Sequence, residues 1–458
     1  MRLEYLKIAR ILILGFGKEG IDTLLFLRRL FPEKVLGIAD QKEFSIFNSQ
    51  FPKLVKKEKK VRLHLGKNYL KSLKNYDIII KSPGIPIHLP EVERVFKKGK
   101  ITSQTEIFFR NCPGKIVGVT GTKGKGTTAS LIYEILREGG VKAHLVGNIE
   151  KPVLQYLFSA TKKDVFVFEL SSHQLYKLRK SPQIAVFLNL YPAHLEFFKN
   201  FKEYILAKTN IVRYQNKSDY FIYNSGDKIV REIAKKSRAK KIPIPTKLGI
   251  FKNLRMPLIG KFNLLNVVAA IEVGKLFKIS KEKIIKGIKN FKPLPHRLEF
   301  VGKYRGIKFY NDSLATIPES SIAAIEALGN KVGTVILGGS ESNVDIGNLA
   351  KKILKSKINN LIFFPTTGEK IWKSIRQAQD KVLQQNRNRG LPKHLVVSRI
   401  EPFFVNNMKN AVNLAYKHTG KGKICLLSPA YPSFSLFKDY KERGNLFKKF
   451  VKNYAKRK

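Results

Sequence analysis

Residues 115–130 read KIVGVTGTKGKGTTAS. Ile116, Val117 and Val119 form a short apolar run with the character of a buried strand. Gly118, Gly121, Gly124, Lys125, Gly126, Thr127 and Thr128 punctuate the next stretch, and from Ala129 the pattern is helical. A strand that feeds a glycine-rich loop and then a helix N-terminus makes an anion site. Bare backbone N–H groups and the positive end of the helix dipole face the ligand there. Glycines let the backbone close around phosphate oxygens, and Lys125 adds a point charge at the outer phosphates. Thr122 and Lys123 complete the loop. The general pattern places a hydroxyl residue after the lysine to meet Mg²⁺. Here the loop is shorter, Gly126 occupies that place, and Thr127 could supply the hydroxyl. A loop that merely turns a βα unit is the plainer alternative.

The chain has 458 residues, a length that suggests about three domains. Its only cysteines, Cys112 and Cys425, lie far apart, so no disulfide framework or cysteine-based zinc site is expected. Apolar residues 11–14 are ended by Gly15 and then by charge, unlike a secretory leader. Nothing approaches the ~20 apolar residues of a membrane span, so a cytoplasmic protein without membrane insertion is expected. Lys and Arg number 87 against 34 acids, a formal net charge of +53. These cations are spread along the chain. The densest runs, 53–62 and 235–241, read as solvated loops or helix faces. The excess is expected to attract polyanionic substrates such as nucleotides; nucleic-acid binding is not expected.

An apolar strand over 8–14 precedes Gly15-Phe16-Gly17-Lys18-Glu19-Gly20 and a helix to about Leu30. Asp40 ends the next strand, the spacing of a dinucleotide-binding fingerprint with its acid placed for a ribose or base. A nicotinamide cofactor, another nucleotide or a bare βα turn all fit it. A strand over 76–80 ends in Lys81-Ser82-Pro83-Gly84, where open α/β sheets gather ligands. In the second segment, a strand over 141–146 ends at Gly147-Asn148. One over 164–168 ends at Glu169, a carboxylate suited to Mg²⁺ beside phosphates. A third, 184–188, is followed by Asn189 and His194. A helix over 201–214 carries Lys208, by pattern one lysine among many. Asn263 and Asn266 share a face of an apolar helix, although Asn263 could simply cap it. Residues 294–299 read as a linker, strands over 307–310, 334–337 and 424–427 come after it, and a lysine-rich helix with a solvated face ends the chain.

Together GTKGKGTT, ELSSHQL, residues 189–194, Ala207-Lys208, GKFNLLN, LPHRLE, NDSLAT, ILGGS and SPAYPSFSLFKDYKERGNLF resemble the ATP-dependent Mur ligases, most closely their D-glutamate-adding branch. The likeness covers nearly the whole chain. It implies an α/β protein with a Rossmann-like domain over 1–103 for the UDP-linked substrate. A central P-loop ATPase domain with a mostly parallel sheet over 104–297 and a Rossmann-like domain over 298–458 for the incoming amino acid complete it. The implied chemistry is amide formation through an acyl phosphate, with ATP and Mg²⁺ as cofactors. UDP-N-acetylmuramoyl-L-alanine and D-glutamate are the implied substrates, and a monomer is expected.

By the same resemblance, Lys125 meets the transferred phosphate, and Gly121, Thr122, Lys123, Gly124, Gly126, Thr127 and Thr128 cradle ATP. Asn263, Asn266, Arg297 and Asp312 also hold ATP. Thr127 and Glu169 hold one metal ion. His194 and a carbamylated Lys208 hold a second. Gly17, Asp40, Ser82 and Gly84 meet the uridine nucleotide, and Asn148 the muramoyl peptide. Thr316, Ser433, Phe434 and Tyr440 frame the amino acid. The chain departs from the branch at several points. Phe262 stands where His is common, Ala193 replaces an Asp, and Leu314 and Ser342 replace substrate-carboxylate lysines. A sibling ligase adding another amino acid is therefore the close alternative. An oxidoreductase built on residues 15–20 leaves the P-loop and Glu169 unexplained, and a non-catalytic polyanion binder draws on the charge and on Gly126 standing where a hydroxyl residue is expected.

Overall fold

The structure is a computed structural model that describes residues 3–43, 60–147, 153–194, 197–245, 258, 260, 262–342, 344–387 and 400–456. It divides into two compact units. One comprises Met1–Arg255 with Leu264–Phe291, the other Met256–Asn263 with Lys292–Lys458. No described helix is long and apolar enough to cross a membrane.

The first unit holds two sheets. Strands β1 (Ile11–Leu14), β2 (Leu36–Asp40), β3 (Val61–Leu65), β4 (Ile78–Lys81) and β5 (Ile101–Thr102) pair in the order β3-β2-β1-β4-β5, all parallel. β1 is buried along its length, as its unbroken apolar run requires in a sheet covered on both faces. The strand order reverses at β1 and β4. This brings the glycine loop after β1 beside the Ser82 turn after β4, at the crevice where such sheets bind ligands.

Strands β6 (Lys115–Thr120), β7 (Ala143–Gly147), β8 (Val165–Glu169), β9 (Ile184–Phe187), β10 (Tyr220–Tyr223) and β11 (Lys240–Pro243) form the second sheet. Its order is β11-β10-β9-β6-β8-β7, again all parallel. Lys240 and Lys241 belong to an edge strand rather than to the expected loop or helix face, with their side chains in water. Of the other basic run, residues 53–59 lie outside the described residues.

The two sheets share one apolar cluster that includes Phe16, Phe26, Phe108, Phe166 and Phe168. Helix Lys18–Leu30 is fastened across this junction by Asp22. Its Oδ2 accepts from the Leu154 N–H at 3.1 Å and from Gln104 Nε2 at 2.8 Å. Burial pushes the Asp22 carboxyl up to about 6, against the pull of the Leu154 N–H and the Gln155 side chain. An acid raised on folding stabilises the protein at low pH and loses that contribution as pH rises through its folded value. Relative to the unmodified chain, Asp22→Asn should therefore gain about 2 kcal/mol of unfolding free energy between pH 4 and pH 7. Paired denaturant titrations check this; a pH-independent difference would contradict it.

In the second unit, β12 (Glu299–Tyr304), β13 (Ile307–Asn311), β14 (Val332–Leu337), β15 (Asn360–Phe363), β16 (Glu401–Phe404) and β17 (Ile424–Leu427) run in the order β12-β13-β17-β14-β15-β16. Only the hairpin β12–β13 is antiparallel among these pairs. The segment expected as a linker is built into this unit. His296 is buried, and the side-chain amide of Asn311 meets its Nδ1 at 2.9 Å.

Candidate functional site

In the first unit the expected nucleotide loop joins β6 to helix Lys125–Glu138. Gly124 caps that helix in the left-handed region at φ 85°, a conformation that glycine adopts at no steric cost. A Cβ there would stand 2.3 Å from Asn266 Oδ1. Asn266 is thus packed against the loop, and its Oδ1 also accepts from the Thr128 hydroxyl at 3.2 Å. The loop is braced from the end of β9. Thr122 N–H donates to Asn189 O, Lys123 N–H to Asn189 Oδ1 at 2.8 Å, and Asn189 Nδ2 to Lys123 O. Gly126 and Thr127 are buried in the first helical turn.

Two lysines converge on one carbonyl of this loop. Lys125 Nζ donates to Gly121 O at 3.0 Å and to Thr122 O at 3.1 Å. Lys208 Nζ, from helix Phe201–Arg213, donates to Gly121 O at 3.0 Å and to Thr120 Oγ1 at 3.3 Å. Lys208 is only 1% exposed. Burial first, and then the neighbouring Lys125 charge, hold its amine well below the usual lysine range, with Glu169 opposing them. Both causes disfavour the ammonium form relative to an exposed lysine. Tyr204 lies beneath it, its ring 5.1 Å away and its hydroxyl 3.0 Å from Thr122 Oγ1.

Glu169 is buried at the end of β8, in register with Val119 on the strand that feeds the loop. His194 is exposed, holds a left-handed φ of 57° and lies 4.9 Å, ring to ring, from His173. Among the described residues no three His, Cys, Asp or Glu side chains gather as a cage. A buried carboxylate and a hydroxyl beside a phosphate loop still suit Mg²⁺, which draws much of its shell from water and substrate oxygens.

The expected uridine residues meet at the first sheet's crevice. Asp40 Oδ2 accepts the Phe16 N–H at 2.7 Å and its Oδ1 accepts the Lys42 N–H, so this acid also shapes the glycine loop. Ser82 Oγ donates to Gly15 O at 2.7 Å. Gly17 and Gly84 face open space. Asn148 lies outside the described residues.

In the second unit, the loops after β13, β17 and β14 emerge at adjacent strand ends. Asp312 Oδ1 accepts from the Leu298 N–H and Oδ2 from the Ser428 hydroxyl, each at 3.0 Å. Arg297 precedes Leu298 and donates its N–H to Leu294 O. Thr316 is half-buried, Ser433 buried and Phe434 exposed. Tyr440 opens the last helix, where its carbonyl accepts from the Ser313 hydroxyl at 2.8 Å. Asn263 is buried near the start of helix Phe262–Leu276.

Lys441, Lys449 and Lys452 of the last helix lie in water as expected, but one of its cations departs from the solvated face. Arg443 is fully buried. It donates to Ser313 Oγ and Ser313 O at 3.0 and 2.9 Å, and to the carbonyls of Tyr431 and Pro432. It thereby ties the NDSLAT loop to the SPAYPS loop. The adjacent Gly444 was a usable signal, because a Cβ there would stand 2.2 Å from His296 Nδ1.

Comparison with known proteins agrees with this arrangement. Three family descriptions match in chain order: "Mur ligase MurD-like, N-terminal domain" over 9–102, "Mur ligase middle domain" over 119–253, and "Mur ligase, glutamate ligase domain" over 296–431. The UDP-N-acetylmuramoylalanine--D-glutamate ligase of Clostridium acetobutylicum is 34% identical over 98% of this chain and 98% of its own. That of Acetivibrio thermocellus is 31% identical over 97% of each. Among solved structures, the MurF ligase of Thermotoga maritima in complex with ADP shares the fold. Its TM-score is 0.58 and identity 14%, over 98% of this chain and 96% of that one. With three matched domains and full-length relatives above 30% identity, the chain belongs to the Mur ligase family.

Proposed function

We propose that this chain joins D-glutamate to UDP-N-acetylmuramoyl-L-alanine, cleaving ATP to ADP and phosphate, as a cytoplasmic monomer in peptidoglycan precursor synthesis. The names of its full-length relatives support the reading. The observation that carries it within the molecule is the convergence of Lys125 and Lys208 on Gly121 O at the positive end of a helix.

A carboxylate oxygen of the alanyl group attacks the γ-phosphorus and ADP leaves, giving an acyl phosphate. The amine of D-glutamate then attacks the acyl carbon, loses a proton and expels phosphate, leaving an amide. Catalysis here is mostly positioning and charge neutralisation at phosphoryl oxygens. Lys125 supplies a fixed cation, and the loop N–H groups supply donors. Magnesium would be held by Glu169 and the Thr127 hydroxyl, with His194 and Lys208 at a second ion, and would draw off charge from the phosphoryl oxygens. A neutral, buried Lys208 amine is the form that adds carbon dioxide. The nitrogen lone pair attacks carbon, an N–C bond forms as one C–O π bond opens, a proton leaves, and the amine becomes an anionic carbamate with oxygen donors. Asn263, Asn266, Arg297 and Asp312 would hold ATP, and Thr316, Ser433, Phe434 and Tyr440 the amino acid. Gly17, Asp40, Ser82, Gly84 and Asn148 would hold the UDP-linked substrate.

A sibling reaction with another amino acid is favoured by one feature. Ser342, with Leu314, stands where the branch carries lysines, and its hydroxyl is buried without a partner among the described residues. Losing a hydrogen bond to a charged group costs about 1.5–3 kcal/mol, enough to change preference. Phosphate release from ATP–Mg²⁺ and UDP-N-acetylmuramoyl-L-alanine, measured across a panel of amino acids, decides between them. Release dependent on D-glutamate is expected. Release with another amino acid and none with D-glutamate would assign the sibling reaction.

A further inference from the structure

Glu19 has no role in the proposed reaction, yet its environment is specific. It sits two residues beyond Gly17, in the first turn of helix Lys18–Leu30. A bare carboxylate in a loop that receives a diphosphate would repel its ligand, unless its charge were committed elsewhere. It is committed. Glu19 Oε1 accepts from Gln174 Nε2 at 2.9 Å, and Oε2 is buried without a hydrogen-bond partner among the described residues. Burial pushes the Glu19 carboxyl up to about 7, with Asp22 acting in the same sense, while the Gln174 amide and the Lys81 ammonium draw it toward its charged form. Lys81 ends β4, is itself buried, and donates to Ser82 O at 2.9 Å and Ile85 O at 2.7 Å.

Gln174 is fixed at its other end. Its Oε1 accepts from the Ser171 N–H at 3.1 Å, and its own N–H donates to Ser171 Oγ, closing a capping box on the turn just beyond Glu169. Hydrogen bonds therefore run from Glu19 through Gln174 to Ser171, just beyond the end of β8, while Lys81, bonded to the Ser82 turn, acts on Glu19 through its charge. Asp22 fastens the same helix elsewhere, at Leu154 and Gln104, so Glu19 is not needed merely to join the two sheets.

We propose that Glu19, backed by Lys81, is a positioning residue for the ligase reaction. It holds the Gln174 amide, and with it the turn carrying Glu169, in register with the glycine loop of the first sheet. This rests on the D-glutamate ligase reaction, and it assigns the network a task beyond stability: aligning the two loops that must share one substrate.

The test is a double-mutant cycle of Glu19→Ala and Gln174→Ala, with Glu19→Gln as the conservative variant, in the full chain. Glu19→Ala should lower kcat about tenfold while the KM for ATP moves less than about threefold. Gln174→Ala should give a similar loss, and the double variant should fall no further than either single one. Glu19→Gln keeps a carbonyl oxygen for the Gln174 amide and should recover most of kcat. The proposal is overturned if the two losses multiply, if Glu19→Gln is as impaired as Glu19→Ala, or if Glu19→Ala lowers the unfolding midpoint with kcat intact. Should the unmodified chain turn over no amino acid, the reaction assignment fails separately. The same four proteins then report through UDP affinity, where non-additive changes support the Glu19–Gln174 coupling and additive ones overturn it.

Discussion

Lys125→Ala should lower amino-acid-dependent phosphate release by about a thousandfold, while affinity for UDP should stay within about twofold of that of the unmodified chain. The first effect arises from where the ammonium is held. Its two short bonds to Gly121 O and Thr122 O fold it back over the loop, so that a phosphoryl group on the loop meets a cation already in place. A fixed charge of this kind is worth several kcal/mol when negative charge is spread over transferring oxygens. The second arises from topology, since the residues proposed to hold the uridine nucleotide belong to the crevice of another sheet. The substitution also removes the neighbouring charge that helps to suppress protonation of Lys208. Phosphate release and calorimetric UDP titration separate the two readouts. Loss of both in a folded variant would show that the loop and the uridine crevice are not independent sites.

Gly124→Ala carries the other large effect. A methyl group at φ 85° costs about 1 kcal/mol in backbone strain alone, and the added carbon would overlap Asn266 Oδ1. Because Asn266 also accepts the Thr128 hydroxyl, relief of the overlap must move either a helix or the loop proposed to cradle ATP. Turnover should fall about a hundredfold and the unfolding midpoint by about 5 °C. Gly84→Ala is the matched control. That glycine faces open space and lacks a positive φ, so its midpoint should not move. Weakened UDP binding in this variant would mark the space as one the ligand fills. An unchanged midpoint for Gly124→Ala would contradict the packing of Asn266 against the loop.

The parts of the site that could be read from the chain are those whose geometry is local. Glycine spacing, a lysine right after it and the switch to helical periodicity define residues 121–128 without any distant partner. Glu169 was visible because it ends a wholly apolar run. Lys208 and Asn266 received their roles only through family resemblance, because nothing in their own segments separates a buried lysine or asparagine from a solvated one. Glu19 and Asp22 look like ordinary acids complementing a helix dipole; what buries them is the second sheet, far along the chain. Arg443 was misread for the same reason. In a helix with so many cations, only the tertiary partners Ser313 and Tyr431 select the one that turns inward. Edge strand β11 was hidden by its lysines, since a strand with water on its flank needs no apolar pattern.

The apolar cluster that passes from the first sheet into the second has a consequence for engineering. Phe26 of helix Lys18–Leu30 packs at 5.2 Å on Phe158, and Arg29 covers the same ring. A chain severed after Thr102 would yield two fragments with sticky faces instead of two portable modules. Grafting a relative's nucleotide-binding portion onto this ligase would require recoding both sides of that seam together.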